Sequence, residues 1–323
     1  MRITRWPWVL RLCLLVASVS PLYGAKSAEP ATPAGWAGTA VGAAGASFEE
    51  VMSNPNRTVG FIPKTLATGG RNPRKYQVWV PLGYTRTRKW PVILFLHGPD
   101  GCGADGEKML AQGLPQAIKK RNGRFDFIVV IPQCPSPRGW HGAQERFAVT
   151  ALTTVLGEYS CDRQRLYLTG VSMGGNATYA LAAKYPTEFA AIAPVGGIGD
   201  VRRAKTIARV PAWIWHGETD KTVAVDKARK MVKALNGAGA AAVKYTELPN
   251  VGEDAWDQAY AGDALWTWFL GHRCPEKQVA TAPVDDGSTG GFHKMDGKFN
   301  NKMDGKMEKG HFDKMGGKMQ PMR

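Results

Sequence analysis

The most informative segment of the chain is Arg165-Leu-Tyr-Leu-Thr-Gly-Val-Ser-Met-Gly-Gly175. Its alternating apolar first half is typical of a buried strand, and residues 177–185 behind it are typical of a helix. A Gly-x-Ser-x-Gly turn between a strand and a helix lifts the serine hydroxyl above the sheet and points the next backbone N–H at a developing oxyanion. Ser172 is therefore a candidate nucleophile and Met173 a candidate oxyanion donor. The alternative interpretation is an ordinary glycine-rich turn.

On both sides of this segment, apolar runs of strand type alternate with stretches of helical periodicity. The predicted strands are residues 76–80, 92–96, 127–131, 165–169, 190–195, 212–216 and 243–247. The predicted helices are residues 106–121, 143–158, 177–185, 225–236 and 255–270. Such alternation predicts an α/β fold with a mostly parallel central sheet and helices on both faces. The chemistry should lie at the carboxyl ends of the strands.

The two ends of the chain differ in composition from this middle part. Residues 1–27 contain basic side chains, a short apolar run and small residues before a cleavage point near Ser27, which predicts a signal peptide and a secreted or periplasmic protein. Residues 28–47 are rich in Ala, Gly and Pro and are predicted to be a flexible linker. A single folded domain is expected over residues 48–275, followed by a disordered Lys/Met/Gly-rich tail over residues 276–323.

The net charge of +15 is unevenly distributed, since residues 1–27 and 291–323 each contribute +4 and leave +7 for the rest. No basic patch interleaved with aromatic residues is present, so nucleic acid is not an expected partner. The tail repeats a Lys-Met-x-Gly-Lys unit. Its thioether and imidazole groups, such as Met295, Met303 and His311, are candidate ligands for a soft metal such as Cu(I). A solvated basic tail that contacts acidic cell-surface polymer is the alternative.

Four cysteines remain after removal of the predicted signal peptide, and an exported chain can oxidise them. Cys102 and Cys134 each follow a predicted strand, whereas Cys161 and Cys274 each follow a predicted helix. Disulfides between Cys102 and Cys134 and between Cys161 and Cys274 are therefore the pairing that avoids crossing the domain. Four buried free thiols are the alternative.

Three further strand ends carry candidate chemistry: Leu96-His-Gly-Pro-Asp-Gly101, Trp215-His-Gly-Glu-Thr-Asp-Lys-Thr-Val223 and Asn250-Val-Gly-Glu-Asp-Ala-Trp256. A serine followed along the chain by an aspartate and then a base is the order of an α/β-hydrolase triad.

With these motifs the sequence resembles the exported bacterial esterases and predicted peptidases of the α/β-hydrolase fold, close to polyhydroxybutyrate depolymerases, feruloyl esterases and dienelactone hydrolases. The resemblance runs from about residue 59 to residue 271. Further motifs that carry it are Tyr76-Gln-Val-Trp-Val-Pro81, Trp90-Pro-Val-Ile-Leu-Phe-Leu-His-Gly98 and Pro132-Gln-Cys-Pro135. The resemblance implies that Ser172 is the nucleophile and Asp220 the triad acid.

The sequence departs from the family pattern at two positions. Glu253 stands where the family carries its general-base histidine, and Pro99, which has no N–H, stands where the family supplies an oxyanion donor. Three features of the sequence could compensate for these departures. Glu253 and Asp220 could share a proton, because two close carboxylates do not both ionise easily. His141, in a loop at a strand end, is an alternative base, and the N–H of Asp100 is an alternative oxyanion donor.

We therefore expect a secreted serine hydrolase that acts on small-molecule or polymer carboxylic esters, or on peptides, through a Ser172 acyl-enzyme and without a cofactor. A catalytically silent α/β-hydrolase fold that binds its ligand without turnover is the alternative expectation, because of Pro99 and Glu253.

Overall fold

The computed structural model describes residues 47–67, 73–240 and 242–274. The predicted signal peptide, all of the predicted linker except Ser47, and the predicted tail with Met295, Met303 and His311 lie outside these residues.

A mixed sheet of eight strands, in the order β1-β2-β4-β3-β5-β6-β7-β8, forms the centre of the described domain. β1 and β2 run antiparallel to their neighbours, and all the other strand pairs are parallel. The strands are β1 (Gly60–Leu66), β2 (Arg74–Val80), β3 (Trp90–Leu96), β4 (Ile128–Pro132), β5 (Cys161–Val171), β6 (Ala191–Val195), β7 (Ala212–Gly217) and β8 (Val243–Leu248).

Helices cover both faces of the sheet. They are α1 (Phe48–Ser53), α2 (Leu114–Lys120), α3 (Ala143–Glu158), α4 (Met173–Lys184), α5 (Ala204–Ile207), α6 (Asp226–Gly237), α7 (Ala255–Ala261) and α8 (Ala264–Leu270). Among the described residues, none of these helices is long and apolar enough to cross a bilayer.

Two apolar layers hold the helices to the sheet, because alternate side chains of a strand point to opposite faces. In β3, Leu94 packs in the layer under α3, α4 and α6, whereas Phe95 packs in the layer under α2, α7 and α8. Both residues are fully buried. Burial on both faces explains why β3, β4 and β6 are nearly continuous apolar runs.

The predicted α/β architecture is confirmed, and all seven predicted strands are present with shifted ends. β1 was not predicted. Pro63 lies in its middle, and the strand tolerates this proline since it pairs only with β2 at the edge of the sheet. The prediction of one helix over residues 106–121 was wrong, since the regular helix begins only at Leu114. The helix predicted over residues 255–270 is divided in two near Gly262.

The structure has no disulfide between Cys161 and Cys274, contrary to the prediction. The Cys161 thiol lies in the apolar layer under α3 and donates to the Val155 carbonyl. The Cys274 thiol lies in the opposite layer and donates to the Glu188 carbonyl. The prediction considered only the end of the sheet at which each cysteine lies, whereas the sheet itself separates the two thiols.

Cys102 and Cys134 are neighbours at the carboxyl end of the sheet, but the structure has them as free thiols rather than as the predicted disulfide. The Cys134 thiol donates to the Ser136 carbonyl at 3.2 Å, and Gly103 N donates to the Cys134 carbonyl at 3.0 Å. Burial, with a smaller contribution from Cys134, raises the pKa of the Cys102 thiol to about 11. Both sulfurs are therefore protonated at neutral pH.

Candidate active site

Ser172 lies at a sharp turn between the end of β5 and the start of α4. Its backbone has φ 50° and ψ −112°, a left-handed conformation that side-chain-bearing residues rarely adopt. Its N–H donates to the Val195 carbonyl of β6 at 2.9 Å, which holds the turn against the sheet. A Cβ at Gly174 would lie only 1.9 Å from the carbonyl oxygen of Leu96, so this position requires glycine. The turn therefore has the geometry that the Gly-x-Ser-x-Gly motif predicts.

The Ser172 hydroxyl contacts Glu253, which lies in the loop between β8 and α7. Ser172 Oγ donates to Glu253 Oε1 at 3.2 Å, and Ser172 is only 7% exposed. The second carboxylate oxygen, Glu253 Oε2, accepts a hydrogen bond from Thr222 Oγ1 at 2.7 Å. Both oxygens of Glu253 are thus engaged, one by the serine and one by a threonine.

Asp220 lies in the loop after β7 and is 6% exposed. Its Oδ1 accepts from the N–H groups of Thr222, at 2.9 Å, and Val223, at 2.8 Å. Its Oδ2 is buried and has no hydrogen-bond partner among the described residues, although His216 Nε2 is 3.4 Å away. One oxygen of Asp220 therefore holds its own loop, and the other forms no hydrogen bond with any residue that the structure describes.

Gly196, directly after β6, marks the point around which these loops meet. A Cβ at Gly196 would lie 3.8 Å from Asp220 Oδ2, 3.8 Å from the Glu253 carbonyl oxygen and 4.0 Å from Ser172 N. The structure thus brings together the serine, the aspartate and the glutamate at the carboxyl ends of β5, β7 and β8.

His97 is buried and holds the turn after β3. His97 Nε2 accepts from Cys134 N at 3.0 Å, so Nδ1 carries the proton and donates to the Gly98 carbonyl at 2.6 Å. Burial lowers the pKa of His97 to about 4. The ring is therefore neutral at physiological pH and fastens the turn after β3 to the end of β4.

The other two histidines near the strand ends do not contact the serine hydroxyl. His216 Nε2 donates to the Val223 carbonyl at 2.8 Å, and the residue is fully buried. His141 is exposed in the loop before α3 and forms no hydrogen bond with Ser172 within the described part of the chain.

The candidate oxyanion site has one clear backbone donor. Met173 is the first residue of α4, so its N–H lies in the first turn of a helix, where N–H groups have no partner within the helix. On the opposite side, Pro99 begins a short 3₁₀ turn that ends at Gly101 and offers no N–H. Asp100 follows Pro99 in this turn and is exposed.

Sequence reasoning missed Thr222, which contacts both carboxylates. A threonine in a loop has no distinguishing pattern, and only the folded loop shows its hydroxyl beside Glu253.

Within the described ranges, no group of three His, Cys, Asp or Glu side chains is suited to hold a metal ion. A depression of about 330 Å³ between β1, β2 and residues 105–107 shares no lining residue with the Ser172 site.

Comparisons with known proteins agree with this architecture. Residues 148–215 match the model of the prolyl oligopeptidase family. Feruloyl esterase B of Neurospora crassa is 25% identical over 178 residues, which is 48% of this chain and 59% of that protein. A bifunctional acetylxylan esterase/xylanase of Neocallimastix patriciarum is 29% identical over 134 residues, which is 40% of this chain and 19% of that protein. The crystal structure of a thermostable esterase is 27% identical, with a TM-score of 0.57 over 66% of this chain and 63% of that one.

The sheet, the serine turn and these similarities define the chain as a member of the α/β-hydrolase superfamily. Within that superfamily it is similar to proteins named as esterases and, over residues 148–215, to the model of a peptidase family. It spans 59% and 19% of the lengths of the two curated relatives it matches.

Proposed function

We propose that this chain is a carboxylic-ester hydrolase that works through an acyl-enzyme on Ser172, with Glu253 as the general base. The observation that carries the proposal is the 3.2 Å hydrogen bond from Ser172 Oγ to Glu253 Oε1 at a nucleophile-type turn. A nucleophile and a base in hydrogen-bond contact is the arrangement that covalent catalysis requires.

In the first half-reaction, Glu253 takes the hydroxyl proton while Ser172 Oγ attacks the ester carbonyl carbon. The Met173 N–H stabilises the negative charge that develops on the carbonyl oxygen. Collapse of the tetrahedral intermediate breaks the bond to the alcohol oxygen, and Glu253 returns the proton to that oxygen. Water then attacks the acyl-enzyme, with Glu253 as base again, and releases the carboxylic acid and Ser172.

The names of the two curated relatives support an ester substrate. The match to the prolyl oligopeptidase family makes peptides a second class to test. Residues 1–27 support action outside the cytoplasm. The proposed contacts of the tail with a soft metal or an acidic polymer rest on its composition alone.

A second candidate function is a silent hydrolase fold that binds esters, polysaccharide or protein. Pro99 favours it, because the loss of one oxyanion donor costs about 3 kcal/mol of transition-state stabilisation. Glu253 favours it as well, because a carboxylate is a weaker base than an imidazole.

Intact-mass detection of fluorophosphonate labelling distinguishes the two candidates. We expect the parent chain to gain one phosphonyl group and Ser172→Ala to gain none. Glu253→Gln keeps the size of the side chain but removes its basicity, and should label roughly 100-fold more slowly. A folded parent chain that labels no faster than Ser172→Ala would favour the binding protein.

A further inference from the structure

Thr222 contacts both carboxylates of the site through two different groups. Its backbone N–H donates to Asp220 Oδ1 at 2.9 Å, and its hydroxyl donates to Glu253 Oε2 at 2.7 Å. The bond to Glu253 joins the loop after β7 to the loop after β8, which are 31 residues apart along the chain. Thr222 therefore links the two halves of the site.

The hydroxyl contact restricts the orientation of Glu253. Its Oε1 faces Ser172 at 3.2 Å, and its Oε2 is held by Thr222 at 2.7 Å. A carboxylate that is bonded at one oxygen alone can rotate about its terminal torsion, which is broad and weakly restricted. With the second oxygen held, Oε1 remains directed at the serine.

Asp220 is not suited to hold an ionised Glu253. In a Ser-His-Asp triad, the acid orients the base because it accepts the imidazole Nδ1–H. A carboxylate base has no N–H to donate, so its orienting partner must be a hydrogen-bond donor. Asp220 Oδ1 is occupied by backbone N–H groups, and Oδ2 forms no hydrogen bond with the described residues. A hydroxyl supplies the donor that the change of base requires.

We propose that Thr222 is the positioning residue of this site and that it takes over, for Glu253, the orienting role that an aspartate has for histidine. This proposal rests on the proposed function, because it assigns Glu253 as the base. Asp220 remains as the anchor of the loop that carries Thr222.

The test compares Thr222→Val, which removes the hydroxyl and keeps the shape, with Thr222→Ser, which keeps the hydroxyl. We expect Thr222→Val to lower kcat for a p-nitrophenyl ester by roughly 10- to 100-fold with little change in KM, because a misplaced catalytic group costs rate rather than binding. Thr222→Ser should retain most of the parent kcat. Equal rates for the valine and serine variants would overturn the proposal.

A matched control is Thr219→Val in the same loop. The Thr219 hydroxyl donates to the Val251 carbonyl at 3.0 Å, but Thr219 N donates to the same carbonyl at 2.9 Å, so the acceptor keeps a partner. We expect Thr219→Val to have parent activity. A loss equal to that of Thr222→Val would show a general effect of hydroxyl deletion in this loop and would overturn the specific role of Thr222.

Crystal structures of the parent and of Thr222→Val test the proposal independently of turnover. In the variant we expect Glu253 Oε1 to leave hydrogen-bond distance of Ser172 Oγ. If the contact persists without the hydroxyl, Thr222 does not position Glu253. The failure of the proposed function has a different result, because the parent chain would then show no labelling of Ser172 whatever the position of Glu253.

In a Glu253→His variant, we expect activity to depend less on Thr222 and more on Asp220. An imidazole offers an N–H to Asp220 and no longer needs a donor, so the fold-loss caused by Thr222→Val should shrink and that caused by Asp220→Asn should grow. The same fold-loss from Thr222→Val in both backgrounds would overturn the proposal.

Discussion

Replacing Glu253 by histidine should accelerate ester hydrolysis, because Asp220 Oδ2 and the backbone of residue 253 both border Gly196. Asp220 Oδ2 is buried without a hydrogen-bond partner among the described residues, and it lies close to the Gly196 position that also borders the backbone of residue 253. A histidine at 253 can donate Nδ1–H to this oxygen and present Nε2 to Ser172 Oγ, which now contacts Glu253 Oε1 at 3.2 Å. The change would assemble a Ser-His-Asp triad on the existing loops.

The expected gain in kcat/KM depends on the general base at position 253, which changes, and on the oxyanion site at Pro99, which does not. Positioned general acid-base catalysis contributes about 100- to 10,000-fold. The parent carboxylate retains part of this contribution, so we expect kcat/KM to rise by about 100-fold, or about 2.7 kcal/mol of transition-state stabilisation. The missing N–H at Pro99 affects the parent and the histidine variant equally, so it does not change the ratio of their kcat/KM values.

Initial rates with a short-chain p-nitrophenyl ester at pH 7.5 measure the gain. Ser172→Ala in the histidine background should abolish it, and Asp220→Asn in that background should remove most of it. A histidine variant that has the circular dichroism of the parent and is no faster would refute the inference that Asp220 Oδ2 is within reach of position 253.

Two predictions concern stability. Since burial lowers the pKa of His97 to about 4, below its unfolded value of about 6.5, the unfolded chain binds a proton that the folded chain does not. The stabilising contribution is therefore complete above pH 6.5 and falls by about 3 kcal/mol as the pH drops to about 4. Urea unfolding should show a lower free energy of unfolding at pH 4.5 than at pH 7 in the parent, and a smaller difference in His97→Gln. An equal difference in the two proteins would contradict the prediction. Gly174→Ala should prevent accumulation of folded protein, because its Cβ would overlap the Leu96 carbonyl oxygen at 1.9 Å. The matched change Gly157→Ala, in an exposed helical position with nothing within 4 Å, should raise the free energy of unfolding by about 0.5 to 1 kcal/mol in the same assay, and a decrease would contradict this.

The architecture and the meeting of Ser172, Asp220 and Glu253 were predictable from the sequence. The apolar runs fix the strands, and the carboxyl ends of parallel strands meet at one edge of a sheet. A residue at such an end, like Glu253, therefore needs no long-range information to be placed near the site. The hydrogen-bond partner of each carboxylate oxygen of Asp220 and Glu253 was not predictable.

Thr222 shows why such details were missed. Its role depends on which way its hydroxyl points from an irregular loop, and no periodicity encodes that direction. The cysteines show a second limit. Cys161 and Cys274 were placed at the correct end of the domain, but the side of the sheet that each thiol faces follows from the pleat of β5 and the path of the chain after α8.

The order of the strands also affects how the chain acquires its site during folding. β3 pairs with β5 although β4 and α3 intervene in the sequence, so this central pairing must close a long loop before it gains hydrogen bonds. Glu253 follows β8, the last strand along the described part of the chain. A nascent chain that ends before β8 exposes the edge of β7, where aggregation can begin, and its Ser172 lacks the hydrogen bond to Glu253. On refolding, reactivity of Ser172 should therefore return only with the last strand.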